Sequence, residues 1–291
     1  MSEFPVVQAI PLQSEAIAFR VNGVEVARYN AGWDMFRPYL FPVLGPDGRE
    51  LTRMGHPHDP ITHRHHYSVW VAHHDVDGID FWSDAPNAGR QVHRNILALE
   101  DGPRSAAAKV GIDWIAPNGR RALAEERTYR VTDLPDLERL IDIHLQLTPT
   151  EETVTFGPTP FGLLAVRVAK TMCVADGGGQ ILNSAGALGE AAIFWRRAAW
   201  CDYSGPVAPG LWNGIAFFAH PSNRDHPPEW HVRSDGWMGA CLSREAERVV
   251  EVGETLQARY GLYVHRGTPN EADVVGVYAA YAAAEFAPCT Q

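Results

Sequence analysis

The strongest constraint on the fold is an alternation of apolar and polar residues with a period of two. Between residues 140 and 148, Ile141, Ile143, Leu145 and Leu147 fall on one side of an extended chain, and Asp142, His144 and Gln146 fall on the other. A helix would scatter these residues around its axis, whereas a strand buried on one face sorts them this way. Residues 16–28 repeat the pattern: Ile17, Phe19 and Val21 alternate, Asn22-Gly23 interrupts, and Val24 and Val26 resume. Asn-Gly between alternating runs predicts a two-residue hairpin, because both residues accept positive φ. Segments 67–72, 127–131, 164–169, 215–220 and 256–265 alternate in the same way. Turn chemistry punctuates them at Gly45-Pro46-Asp47-Gly48, Pro117-Asn118-Gly119, Gly177-Gly178-Gly179 and Pro227-Pro228. Residues 271–286 differ: they are alanine-rich, with Val274, Tyr278 and Tyr281 at helical spacing, and read as a short C-terminal helix. The expected fold is mostly β, an antiparallel sandwich. No linker, composition shift or internal repeat divides the chain, so a single domain over residues 1–291 is expected.

Composition excludes several classes of function. The formal charge is −10 and no basic run occurs, which argues against nucleic-acid binding, because phosphate contacts need a basic face. No stretch reaches the roughly 18 apolar residues of a membrane span, and residues 1–8 lack the basic and apolar regions of a secretory signal. The four cysteines (Cys173, Cys201, Cys241 and Cys289) are widely spaced without a C-x-x-C, which reads as reduced thiols in a cytoplasmic protein.

Chemistry concentrates in histidines. His56, His58, His63, His65, His66, His73 and His74 crowd into one short stretch of a chain with 13 histidines. Imidazole can ligate a metal, move protons near neutral pH or bond a polar ligand. Parity constrains them. If residues 67–73 form a strand, Tyr67, Val69, Val71 and His73 share one face, while His66, Ser68, Trp70, Ala72 and His74 share the other. His65 and His66 then diverge unless a bulge intervenes. A three-histidine metal site would need ligands from separate segments, since no H-E-x-x-H helix supplies one locally. Further downstream, His220-Pro221-Ser222-Asn223 closes an apolar run. His231 and Arg233 share a strand face suited to an anionic or polyhydroxylated ligand, and His265-Arg266 ends another strand. Arg167 points away from Val166 and Val168, so a guanidinium there needs a partner if it is covered. Glu125-Glu126 and Asp75 with Asp80 supply carboxylates at no diagnostic spacing. Nine tryptophans could stack on sugar rings. Phosphate-loop and serine-hydrolase motifs are missing.

Several blocks, taken in order, resemble the PmoA-like family of bacterial proteins, named after a methane-oxygenase label. They include Arg37-Pro38-Tyr39-Leu40-Phe41-Pro42-Val43, Pro46-Asp47-Gly48 and Leu51-Thr52-Arg53, then His63-Arg64-His65-His66-Tyr67-Ser68-Val69-Trp70, running into residues 73–82. Trp200-Cys201-Asp202-Tyr203-Ser204-Gly205, the His220 block, Trp230-His231-Val232-Arg233 and His265-Arg266-Gly267 follow. The second histidine block departs from the family pattern, with Thr62, Arg64 and Tyr67 where Asp, Pro and Arg are usual. The resemblance implies a supersandwich similar to galactose mutarotase and a link to carbohydrate metabolism.

Three functions follow as expectations. The first is a carbohydrate-active enzyme that performs epimerisation, elimination or hydrolysis on a sugar or glycoside. His65, His66 and His73 are its proton-transfer candidates. Arg37, Tyr39, Trp82, His93, Arg167, His220, Asn223, His231, Arg233 and His265 would contact substrate. The second is a metal-dependent enzyme, including an oxygenase, with a divalent metal drawn from among His65, His66, His73, His93 and His220. The third is a non-catalytic sugar-binding module. A small-molecule partner is expected, with no nucleic acid and no membrane. Homo-oligomerisation stays open.

Overall fold

A computed structural model describes residues 5–55 and 63–289, so His56, His58 and Thr62 lie outside the described residues. In chain order the strands are β1 (Val7–Leu12), β2 (Ala16–Val21), β3 (Val24–Asn30), β4 (Tyr39–Val43), β5 (Val69–His73) and β6 (Arg90–Glu100). Then come β7 (Ser105–Ile115), β8 (Arg121–Asp133), β9 (Arg139–Pro149), β10 (Val154–Phe156), β11 (Gly162–Arg167) and β12 (Gln180–Asn183). The last six are β13 (Trp200–Ala208), β14 (Leu211–Ala219), β15 (Trp230–Arg233), β16 (Trp237–Cys241), β17 (Arg248–Val250) and β18 (Leu256–Arg266). The helices are α1 (Val174–Gly177), α2 (Glu190–Ile193) and α3 (Val274–Ala283). No helix among the described residues is long and apolar enough to cross a membrane.

The chain is mostly β, and its strands form two eight-stranded antiparallel sheets with a two-stranded third. Sheet one runs β1-β2-β3-β4-β5-β11-β16-β15, and sheet two runs β12-β13-β14-β18-β9-β8-β7-β6. One apolar core takes Val69, Val71, Leu164, Val166, Val232 and Met238 from sheet one, and Ile141, Ile143, Leu145, Leu147, Phe217 and Leu262 from sheet two. The alternation read in β9 is therefore the inner face of a sandwich. The Asn22-Gly23 hairpin forms with both residues at positive φ and Val21 paired to Val24.

Two departures have local causes. The C-terminal helix spans Val274–Ala283, within the expected 271–286, because the Asp273 carboxylate caps it by accepting from the Gly276 amide. Beyond it the carbonyls of Ala284 and Ala287 accept from Arg259 and Arg130 instead of continuing the helix. Tyr67 leaves the core face that simple parity gives it. Ser68 sits at φ 59°, which breaks the alternation, and its hydroxyl donates to Thr52 Oγ1 at 2.7 Å.

A polar network crosses the core. Arg127 is fully buried and donates to Glu125 through Nε at 2.6 Å and Nη2 at 2.8 Å. Trp114 Nε1 donates to the same carboxylate at 2.7 Å. Gln91 accepts from Arg127 and donates to the Val71 carbonyl, which ties β5 of sheet one to β8 of sheet two. Removing one partner would strand a buried charge. Glu125→Gln should therefore destabilise the protein by about 3–5 kcal/mol. Glu126→Gln, which breaks an exposed pair with Lys109, should cost about 1 kcal/mol or less. Urea denaturation followed by tryptophan fluorescence separates the two, and equal losses would show that the core pair is not what stabilises this region.

Candidate functional site

Strand register builds the site floor. Tyr39, Trp70, Ala165, Gly239 and His231 stand opposite one another across β4, β5, β11, β16 and β15. Two residues along, Arg167, Trp237 and Arg233 form a second row across β11, β16 and β15. Their neighbours Val166, Met238 and Val232 point into the core, so both rows lie on the outer face of sheet one. Ala165 and Gly239 leave a depression in that face. A Cβ at Gly239 would approach the Trp237 ring to 3.3 Å, so the bare backbone lets the indole lie down on the sheet.

Loops raise the walls. Residues 63–66 form a tight turn in which the His66 amide donates to the His63 carbonyl at 3.1 Å. The turn seats on Gly55, where a Cβ would come within 2.5 Å of the Arg64 carbonyl. In a turn, strand parity no longer separates neighbours. The His65 and His66 rings meet edge to face at 4.6 Å rather than diverging, and the His63 ring lies 4.9 Å from His66. His66 also stacks on Trp70 at 5.0 Å and stands 5.5 Å from Trp237. Arg37 lies behind this wall. It donates to the carbonyls of His65 and Ser83 and to Asp84, and it covers the Tyr67 ring.

The result is a cleft of about 450 Å³ lined by His63, His65, His66, His74, Trp82, Ser83, Phe161, Arg167, His231, Arg233, Asp235 and Trp237. Its electrostatics are nearly self-cancelling. Arg167 pairs with Asp235 at 2.8 Å, the partner that its covered charge requires. Arg233 pairs with Glu190 at 3.1 Å and lies over Phe194. Burial, with Arg37 nearby, brings the His65 pKa down to about 4. Burial among aromatic rings takes His231 to about 3. Burial, then neighbouring His65 and Arg167, holds His66 well below the ordinary histidine range. These imidazoles are therefore neutral at neutral pH.

The cleft gathers His65, His66, Trp82, Arg167, His231 and Arg233 from the expected set, and adds His74. Other candidates lie elsewhere. His73 points inward beside Val69 and Val71. Its Nδ1 accepts from the Asp75 amide and its Nε2 donates to Ser243 Oγ at 2.8 Å, so the ring is occupied. Arg37 and Tyr39 support the wall without lining the cleft. His93 bonds Tyr29 on β3 from sheet two. His265 is wholly buried against Asp202 at 2.7 Å, and that carboxylate raises its pKa against the opposing effect of burial. His220 and Asn223 line a separate pocket of about 420 Å³ with His144, Arg259 and Phe286. There the Arg259 guanidinium lies 3.1 Å from His220 Nε2, and His220 Nδ1 lies 2.7 Å from Ser222 Oγ and 3.1 Å from the Ser222 amide. Asn223 pairs its amide with the Arg259 backbone. Among the described residues no group of three His, Cys, Asp or Glu could hold a metal ion.

Phe161, Asp235 and Trp237 are cleft residues that the sequence reading did not single out. Asp235-Gly236 was the available signal: a hairpin turn there folds Trp237 back beside Arg233, while Phe161 arrives from a loop with no such mark.

A family model described as a family of unknown function (DUF6807) matches residues 16–279. No curated protein matches. The PmoA-like membership expected from the sequence blocks is corrected accordingly, since the family whose model spans the chain is this one.

The lowered histidines set a pH dependence. Unfolded, they bind protons near pH 6.5; folded, His65, His66, His73 and His231 resist protonation. The unfolded state therefore binds more protons in acid, and this stability is present above about pH 6.5 and lost as pH falls toward 3–4. His265 acts oppositely, contributing fully below about pH 6.5 and less as pH rises through its raised value. The four lowered groups, joined by His93, His144, His220 and His226, whose values burial also lowers, outweigh one, so the thermal midpoint should drop by several degrees from pH 7.5 to pH 5, and His65→Gln should reduce that drop. Melts followed by circular dichroism test this, and a midpoint that rises in acid would contradict neutral burial.

Proposed function

The chain belongs to the DUF6807 family, and from its cleft we propose that it is a carbohydrate-active enzyme that binds a neutral saccharide or glycoside on the outer face of sheet one and moves a proton through His66. One observation carries the reading. Neutral imidazoles, His66 and His231, stand on either side of the Trp237 ring, 5.5 Å and 3.8 Å from it, in a bowl whose two arginines already have carboxylate partners. Flat aromatic walls suit the C–H faces of a sugar ring, and neutral imidazoles can exchange hydrogen bonds with its hydroxyls. An anionic ligand would have to displace Asp235 or Glu190 from their arginines, whereas a neutral polyol need not.

In this reading Trp82, Phe161 and Trp237 hold the ring. His231, Arg167 and Arg233 orient it. His66, backed by Trp70 and the His65 turn, sits where a proton can be taken from or given to the bound sugar. Contact with ligand oxygens would draw the His66 pKa back toward neutrality, where acid–base catalysis is most effective. The four cysteines are free, which suits the expected cytoplasmic setting. The sugar-binding module remains the second reading, favoured by how strongly burial disfavours charge on these rings. The metal-dependent reading lacks a ligand set among the described residues.

A panel of neutral glycosides, followed by NMR for anomer exchange, epimerisation or cleavage, tests the proposal. His66→Ala should lose at least about 100-fold in turnover, the usual contribution of a general acid or base, while circular dichroism stays unchanged. Trp82→Ala should mainly raise KM. Full activity in His66→Ala would remove the proton-transfer role, and tight glycan binding without turnover would select the binding module.

A further inference from the structure

Among the buried polar atoms of the cleft residues that make no hydrogen bond, one is a defined acceptor and another a defined donor. His231 is 3% exposed and lines the cleft. Its Nδ1 faces the Pro160 carbonyl at 3.3 Å, and its Nε2 has no partner. A carbonyl can only accept, so Nδ1 carries the proton, and the neutral ring presents a bare lone pair at Nε2. Trp237 is 4% exposed and its Nε1–H is also without a partner. An indole nitrogen can only donate. The rings are 3.8 Å apart at 61°. Their spacing is set by one hairpin, β15 to β16, in which His231 opposes Gly239 and Trp237 opposes Arg233. None of the other rings around His231 (Trp195 at 4.5 Å, Phe194 at 5.0 Å and Phe161 at 5.6 Å) hydrogen-bonds its lone pair.

Resting on the saccharide reading above, we propose that His231 and Trp237 form a hydroxyl-recognition pair: Nε2 of His231 accepts from one hydroxyl of a neutral polyol, and Nε1 of Trp237 donates to another oxygen of the same molecule. Leaving either atom unmet carries the penalty of an unsatisfied buried group, so a ligand that meets both is selected over one that meets neither. The pair defines the ligand class by exclusion. A carboxylate brings no proton to the His231 lone pair. An ammonium group satisfies Nε2 and leaves the indole N–H unmet. Hydroxyls do both. Glu190 and Arg233 are the charged groups nearest His231, and they are occupied with each other.

The test uses the full chain with 15N-labelled histidine. Long-range proton–nitrogen correlations, assigned by His231→Gln, should show the Nδ1–H tautomer at His231. Methyl glucoside, methyl galactoside, methyl xyloside and myo-inositol are then titrated, with glucuronate and glucosamine as charged probes. At least one neutral probe should bind and shift the His231 Nε2 resonance, and neither charged probe should bind as well as its neutral counterpart. His231→Phe and Trp237→Phe should each weaken that binding by about tenfold, the loss expected for one buried hydrogen bond. His231→Gln keeps an acceptor at the Nε2 position and should stay within a few-fold of the native chain. It also serves as the folded reference should the Phe variant misfold. An Nε2–H tautomer, or undiminished binding in His231→Phe, overturns the pair while leaving the saccharide reading standing; a preference for glucuronate overturns the neutral-saccharide reading and the pair that rests on it. No binding by any neutral probe, with the expected tautomer in place, overturns the saccharide reading and the pair with it.

Discussion

Arg37 is almost completely buried, and a guanidinium at that depth must find partners for its donors or carry a large desolvation penalty. Its two terminal nitrogens find them on two separate loops, while Nε has none. The His65 carbonyl lies on one, and the Ser83 carbonyl and Asp84 carboxylate lie on the other. Asp84 in turn accepts from the Tyr67 hydroxyl at 2.6 Å, which returns the chain of bonds to the histidine turn. The loop carrying His65 and His66 and the loop carrying Trp82 are therefore held to one cation. The wall of the cleft is a consequence of satisfying that charge, and the histidines inherit their positions from it. Arg37 was expected as a substrate contact; its work is one layer further back.

The sequence was informative wherever a side chain's direction depends on strand parity alone. Alternation placed Ile141 to Leu147 on the core face and His231 with Arg233 on one side. His66 does stack on Trp70, but from the turn at residues 63–66 and not from a shared strand, since β5 begins at Val69. The same rule put His73 beside Val69 and Val71, and its burial there is what parity implied. Its selection as a proton-transfer residue came from its place in a conspicuous cluster, against the direction its strand dictates. Parity stopped being a guide at Ser68, where positive φ breaks the strand, and in the turn at residues 63–66, where adjacent histidines converge. Long-range pairing was the other limit. Sheet one closes β5 against β11 and β16, segments far apart in the chain, so nothing local to residues 63–82 announces Trp237 or Asp235 as neighbours.

The cleft floor is made by strands and its walls by loops, and that division matters for what each can do. His231, Trp237, Arg167 and Arg233 sit in hydrogen-bonded register, so their mutual distances are fixed to the precision of a sheet. His63, His65, His66 and Trp82 hang on segments tied down through side chains and carbonyls, which leaves them freer to adjust to a ligand. The proposed function gives orientation to the rigid part and proton transfer to the adjustable part. A base that must wait for contact with substrate before its pKa approaches neutrality is better placed on the side that can move.

The partition of histidines follows the same logic of what each nitrogen already does. In His73 both ring nitrogens are spent on Asp75 and Ser243, and in His265 both are spent on Asp202 and the Arg266 carbonyl. In His220 Nε2 lies against the Arg259 guanidinium and Nδ1 against Ser222. These rings act as fixed hydrogen-bonding posts, and the two sheets use them as such. His66 and His231 each keep a buried nitrogen with no partner inside the protein, as His144 and His226 do elsewhere. What sets His66 and His231 apart is position: both stand beside the Trp237 indole, whose own Nε1–H is also unmet. That grouping, more than the density of histidines in the chain, is what supports the proposal that the cleft is a binding site.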